Sequence, residues 1–341
     1  MSDSAPAATR LAADLAGKRI PLASVPVVDF QAFLEGSAAG RAKTVAEIAF
    51  ACRQIGFFYL AGHGVPASLV DRVLENSKRF FALPAAEKQR LHIKNSPFHR
   101  GYIGIGDEGL TKSGDFKEAF DMALDLPLSD PDVQAGKPFH GPNVYPPSPA
   151  DFEPCMRAYY AAMLDLAGQL CRAFALGLGQ AEDFFAGKID KPLAQLRVLH
   201  YPPQSGEITG EWIGIAEHSD YGLVSILSQD SVGGLQLRNA DGEWIHAPPM
   251  PGTFICNLGD AMARWTNDLW PATPHRVINT AGRDRYSTVL FFDPNYDCLI
   301  ETLPNCTGPD NPPHYRPVTM GQHLTSRFDD SFKYRDAHAP A

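Results

Sequence analysis

No run of apolar residues in this 341-residue chain is long enough to cross a bilayer. The N-terminus, Met1-Ser-Asp-Ser-Ala-Pro6, carries an early acid and no apolar core, so no secretory leader is expected. Basic residues are in deficit: 30 Lys and Arg stand against 39 Asp and Glu, a net charge of -9. That balance argues against nucleic acid and against anionic membrane surfaces as partners. The 6 cysteines (Cys52, Cys155, Cys171, Cys256, Cys298, Cys306) form no C-x-x-C pair. In a chain this long they read as reduced thiols of a cytoplasmic protein, not as a disulfide framework. Internal repeats, a Gly/Ser linker and an H-E-x-x-H zinc motif are all missing, which sets aside solenoids, two tethered halves and a zincin-type hydrolase. The sequence makes no statement about oligomeric state.

What is present begins with 44% apolar residues, enough for a sizeable core. Residues 1–24 are Ala-rich and polar, and read as an extension disordered in part. Val25-Pro-Val-Val-Asp-Phe30 reads as a short strand. Thr44-Val-Ala-Glu47 has the pattern of a capping box, opening a helix through Gln54 with Gly56 placed to end it. Gly56 to Gly62 reads as a buried strand, with His63 a turn residue, and helices are expected at about 67–81 and 84–91. The glycine-rich stretch His99–Gly106 is followed by no helix pattern, so it is not read as a phosphate loop. Pro127 to Pro154 reads as a long surface loop. Tyr159, Met163, Leu166, Leu170 and Phe174 recur at helical spacing and predict an amphipathic helix over 152–177.

From Gln195 to Phe292 the character changes to short apolar runs split by turn residues: 196–201, 222–227, 235–237, 244–246, 253–257, 275–279 and 286–292. Asn239-Ala-Asp-Gly242 is a hairpin turn between two of them. Closely spaced strands with Gly and Pro corners predict an antiparallel sandwich or jelly-roll. The expectation is one α+β domain over 25–341. A helical and mixed layer over 25–194 precedes a double-stranded β-helix (jelly-roll) core over 195–295, with flanking helices and a covering segment over 296–341.

The chemistry concentrates in that second half. His218-Ser-Asp220 places an imidazole and a carboxylate two positions apart, which on an extended strand share a face. By itself H-x-D is weak in a chain with 11 His. The best third ligand is His275, in Thr273-Pro-His275-Arg-Val277. Two histidines and one carboxylate on one side of a metal, with open positions opposite, are the facial triad of non-haem Fe(II) oxygenases. Ten positions on, Arg285 and Ser287 again share a strand face. A guanidinium fork with a hydroxyl suits a carboxylate, whereas the plainer reading is an internal salt bridge to Asp260 or Asp293.

Taken in order, His218-x-Asp220, His275 and Arg285-x-Ser287 resemble the Fe(II)- and 2-oxoglutarate-dependent dioxygenases, in the isopenicillin N synthase-like group. The resemblance runs from about residue 25 to 335. It takes in Gly56-Phe-Phe-Tyr59, Arg100-Gly-Tyr102, Leu199-His-Tyr-Pro-Pro203, Val232-Gly-Gly-Leu235, Asn257-Leu-Gly-Asp260 and Pro274-His-Arg-Val277. It implies that His218, Asp220 and His275 hold Fe(II). Arg285 and Ser287 would grip the far carboxylate of 2-oxoglutarate, with the Tyr201 hydroxyl nearby. With O2, such enzymes decarboxylate the keto acid to succinate and oxidise a small organic substrate. Leu199 departs from the pattern, since many members carry Asn there. Tyr102, Phe120, Phe292 and the segment Thr319–Tyr334 are candidate pocket walls. Three alternatives stay open: a cosubstrate-free oxidase of the isopenicillin N synthase type, an ethylene-forming enzyme that fragments 2-oxoglutarate, and a non-catalytic binding protein on the same scaffold.

Overall fold

The computed structural model describes residues 10, 11, 15, 25–109, 113–204, 207–210 and 212–332. Most of the 1–24 extension, and Tyr334 of the covering segment, lie outside them. The described strands gather chiefly into two sheets. β1 (Val27–Asp29), β2 (Phe57–Ala61), β3 (Gly101–Ile103), β4 (Glu118–Ala123) and β5 (Gln195–Tyr201) come first along the chain. They are followed by β6 (Ile215–His218), β7 (Val224–Gln229), β8 (Leu235–Arg238), β9 (Trp244–His246), β10 (Phe254–Leu258), β11 (His275–Val277) and β12 (Arg285–Phe292). The larger sheet runs β1-β2-β10-β7-β12-β5-β4-β3, and the smaller β9-β8-β11-β6. Pairing is antiparallel throughout except for β1 on β2. The result is a mixed α+β fold.

The strands expected between 195 and 292 form within a residue or two of their expected places, and the Asn239–Gly242 turn joins β8 to β9. Strand is not confined to that stretch, however. β1 to β4 extend the large sheet at both ends, so the first half of the chain contributes to the sheet as well as covering it. β4 reads Glu-Ala-Phe-Asp-Met-Ala and is buried on both faces, without the run of β-branched residues that marks a strand.

Three helices flank the sheets. α1 spans Ala38–Gln54, α2 Ala67–Phe81 and α3 Phe152–Gly177, the last with the bounds its spacing predicts. The five apolar positions that signalled α3 are all buried. α1 corrects the sequence reading: it starts after Ser37, whose side chain caps Gly40 N–H, and not at Thr44. Thr44 lies inside the helix, and its hydroxyl donates to Asp29 O at 3.2 Å. The stretch after Gly36 is Ala-rich and lacks an apolar stripe, which hid the first turns. A short α4 (Asp260–Trp265) follows β10, and α5 (Met320–Ser331) begins with a full capping box of Thr319 and Gln322. No described helix is long and apolar enough to cross a membrane.

Candidate active site

Residues of both sheets line one cavity of about 140 Å³. Register explains which side chains reach it. β12 pairs with β5 so that Arg285 lies opposite Tyr201, Ser287 opposite Leu199, Val289 opposite Arg197 and Phe291 opposite Gln195. Side chains alternate along a strand, so these four pairs share a face, and all eight residues line the cavity. The same alternation corrects one expectation. Phe292 turns away into the core, and Phe291 is the wall residue. Phe120 packs against Phe80 and Phe152, and Tyr102 donates to Glu118 at 2.6 Å; neither lines the cavity. Leu324, Phe328 and Ser331 of α5 do, as the covering segment was expected to.

His218, Asp220 and His275 come together. One donor atom from each lies within 4.8 Å of the others, and Asp220 Oδ1 is 3.7 Å from Nε2 of either histidine. β11 and β6 are neighbours with His275 opposite His218, so the sheet itself sets the two imidazoles side by side. Asp220 lies beyond the end of β6, not on it. Its place is set by the junction of β10 and α4, where Asp260 N–H donates to Asp220 O at 2.8 Å and Ala261 N–H to Gly222 O at 3.1 Å. A Cβ on Gly259 would fall 2.5 Å from Gly222 O, so only glycine allows this approach.

The donor set suits a divalent metal. His218 Nδ1–H donates to Ala216 O at 2.9 Å and His275 Nδ1–H to Thr273 O at 3.1 Å. A carbonyl only accepts, so each ring carries its proton on Nδ1 and presents a lone pair on Nε2. Ser225 Oγ and Asn257 Nδ2 donate to Asp220 Oδ2, leaving Oδ1 to face the histidines. Burial opposes ionisation of Asp220, but the two imidazoles and these hydrogen bonds outweigh it and hold its pKa below the usual carboxylate value. Burial, with His218 adjacent, pushes His275 down to about 4, keeping it neutral.

Arg285 is fully buried. Its Nε donates to Gly233 O, its Nη2 to Gln229 Oε1 at 3.1 Å, and its Nη1 to Ser287 Oγ at 3.3 Å. The guanidinium lies 4.5 Å from the centre of the Tyr201 ring. The expected salt bridge is not formed: Asp260 pairs with Arg327 at 2.7 Å, and no acid pairs with Arg285 among the described residues. Sequence reasoning missed a second charged group on the cavity wall. Glu108, Asp115, Lys117 and Arg197 line it, with Asp121 behind. The period-2 pattern of β5 could have flagged Arg197; nothing local marked the other three, which a loop brings in.

Comparison with known proteins agrees with this geometry. Residues 25–148 match the model for the non-haem dioxygenase in morphine synthesis N-terminal region, and residues 192–294 that of the 2OG-Fe(II) oxygenase superfamily. The chain is 34% identical to the 2-oxoglutarate-Fe(II) type oxidoreductase hxnY of Emericella nidulans, over 92% of each chain. It is 35% identical to the Homoarginine-6-hydroxylase 2-ODD-C23 of Glycine max, over 91% of this chain and 97% of that one. Among solved structures, a full-length Neurospora crassa protein in complex with alpha-KG and thymine superposes with TM-score 0.77 at 28% identity, covering 89% of this chain and 96% of that. A putative 2OG-Fe(II) oxygenase family protein from Caulobacter crescentus superposes with TM-score 0.79 at 29% identity, covering 90% and 99%.

Proposed function

The chain belongs to the 2OG-Fe(II) oxygenase superfamily, and from that premise we propose that His218, Asp220 and His275 hold Fe(II) while Arg285, Ser287 and Tyr201 hold 2-oxoglutarate for the hydroxylation of a small polar molecule. One observation carries this assignment. A fully buried guanidinium shares the metal cavity and has only neutral hydrogen-bond partners among the described residues. An unpaired buried cation is costly, and an incoming carboxylate offsets the cost. With Fe(II) held by His218, Asp220 and His275 and 2-oxoglutarate by Arg285, Ser287 and Tyr201, the site would supply oxidative decarboxylation to succinate and CO2, one atom of O2 going to succinate and the other to a substrate C–H bond.

The protein's own residues orient and enclose. Gln229 and Gly233 O hold the Arg285 fork in one plane, Ser287 stands beside it, and the Tyr201 ring closes its face against water. Leu199, across from Ser287, gives the cosubstrate an apolar flank. Leu324 and Phe328 of α5 screen the cavity. The two sheets, antiparallel around that cavity, are read as the faces of a double-stranded β-helix, and 25–332 as one domain. A single buried cluster running from Val25 to Phe332 supports that reading. Relatives named for homoarginine hydroxylation, and a neighbour holding thymine, support a small nitrogen-bearing substrate.

Anaerobic addition of Fe(II) and then 2-oxoglutarate tests the site. A visible charge-transfer band is expected only when both are present. Oxygen uptake that ignores 2-oxoglutarate and yields no succinate would overturn the assignment.

A further inference from the structure

Beyond the metal and the Arg285 end, the cavity wall carries a connected set of charges. Asp121 takes Arg197 Nε and Nη2, each at 2.7 Å. Arg197 Nη1 then reaches Glu108 Oε1 at 2.9 Å, and Lys117 Nζ reaches Glu108 Oε2 at 2.5 Å. Lys117 is also 3.3 Å from Asp115 Oδ2. Within these direct contacts three carboxylates face two cations, and the buried Arg100 guanidinium acts on Asp121 from behind. Asp115, Lys117, Arg197 and Asp121 are all buried, with none more than 7% exposed. The remaining machinery does not correct the imbalance, because iron(II), the 2-oxoglutarate dianion, Asp220 and Arg285 sum to zero formal charge. Asp293, further along the inward face of β12, lines the same cavity and has no basic partner among the described residues.

Of the three carboxylates, Asp115 is the least compensated. Glu108 is well compensated: burial acts to raise its pKa, but Arg197 and Lys117 outweigh this and bring it down to about 2. Among the described residues the Asp115 carboxylate has only two polar contacts, both long: Lys117 at 3.3 Å and Ala216 N–H donating to Oδ1 at 3.3 Å. Its pKa lies above the usual value, raised by burial and, less strongly, by Glu108, with Lys117 offsetting only part. Its position is specific. β6 is an edge strand of the small sheet, and the 115–116 segment occupies its open side, with Phe116 N–H donating to Ile213 O at 2.7 Å. Asp115 is thereby held against Ala216, the residue whose carbonyl anchors His218. A group bound to this carboxylate has the rest of its skeleton beside the metal ligands.

We propose that Asp115 anchors a protonated nitrogen of the primary substrate, so that the enzyme oxidises a small amine or guanidine at a carbon a few bonds from that charge. Such a ligand brings a positive charge to a buried carboxylate that has no short ion pair. A neutral amide or a carboxylate of the same shape does not. This deepens the oxygenase reading above and rests on it.

The test is calorimetric titration of protein loaded with Ni(II) and 2-oxoglutarate, so that no turnover occurs. The probes are L-arginine, agmatine and L-lysine, with L-citrulline and L-norleucine as counterparts whose side chains are uncharged and adipate as an anion. Wild type is expected to bind L-arginine at least about ten-fold more tightly than L-citrulline, the scale of one charge-assisted hydrogen bond. Asp115→Asn keeps the acceptor for Ala216 N–H and should bring the ratio close to one, whereas Asp115→Glu should keep most of it. A merely structural Asp115 would alter all affinities together and leave the ratio intact. The proposal is overturned if no cation binds more tightly than its counterpart, if adipate is preferred, or if the preference survives in Asp115→Asn. The preceding titration of 2-oxoglutarate into Ni(II)-loaded wild type separates the two readings, because its failure strikes the cosubstrate assignment instead.

Discussion

Arg285 and Asp220 show how single side chains are prepared for partners of opposite charge. Lys at position 285 keeps the charge but loses the fork that Gln229, Gly233 and Ser287 hold flat. Losing a buried charge-assisted contact costs roughly 2–5 kcal/mol. Arg285→Lys should therefore raise the 2-oxoglutarate KM by about thirty-fold or more, at about ten-fold per 1.4 kcal/mol. Ser287→Ala removes one hydrogen bond of about 1 kcal/mol and should raise it less than ten-fold. Succinate formation against 2-oxoglutarate concentration reads both, and equal effects would contradict the fork argument. Asn257 is not one of the three proposed ligands, yet its amide donates to Asp220 Oδ2 at 2.6 Å. Asn257→Ala should weaken Fe(II) binding by about 10–100-fold, the usual cost of removing such a support. Competition with a coloured chelator measures it, and an unchanged affinity would show that Ser225 suffices.

Among the elements, the turn from Ser219 to Gly222 has the least latitude. A Cβ on Gly222 would lie 1.5 Å from Asp293 Oδ1, so the turn and the end of β12 fit only without one. Gly222→Ala must displace Asp293 or the backbone that presents Asp220. Overpacking of this kind costs typically about 1–3 kcal/mol. The expected outcome is a lower Tm with weakened metal binding, and recovery of both in Gly222→Ala/Asp293→Ala, where the colliding oxygen is gone. If the double variant is no better than the single one, the collision is not the cause. α3 is the opposite case: five apolar positions at one spacing specified its length and buried face together.

Across the whole molecule, two buried groups in one cavity give opposing dependences on pH. In metal-free protein His275 has its pKa near 4, against an ordinary 6.5. The unfolded chain takes up that proton first, so stability falls on acidification from about 6.5 to 4. Asp293 is raised to about 7 by burial and by the charge of Asp220, against an ordinary 3.8. The folded state keeps that proton longer, so stability falls as pH rises from about 4 to 7. The two slopes offset one another. Asp293→Asn removes only the second, so its Tm relative to wild type should rise with pH between about 4 and 7. Thermal melts of both proteins in chelator across that range decide it, and parallel curves would mean that Asp293 titrates normally. With metal bound, both His275 Nε2 and Asp220 stay deprotonated, so the acid loss should begin at lower pH.

Much of this protein was determined by the sequence alone, because local periodicity and ordered spacing are properties of the chain itself. The helix over 152–177, the run of short strands from Gln195, and the order His218-x-Asp220, His275, Arg285-x-Ser287 needed no coordinates. Even Phe291 as a wall residue follows from counting by two from Arg285; in an apolar pair such as Phe291-Phe292 hydrophobicity cannot choose the phase. Other features were decided only by the tertiary structure. Asp220 reads as a strand residue and is instead held by α4, some 40 positions away in the sequence, because a helix end supplies N–H donors where β6 stops. That Arg285 meets neither candidate acid was also settled in three dimensions, where Asp260 pairs with Arg327 and Asp293 Oδ1 lies against Gly222. Asp115 and Lys117 carry no local mark of function. They reach the cavity because an edge strand left backbone groups unpaired and a loop from about 100 residues earlier satisfied them, an outcome of long-range pairing that composition and period cannot encode.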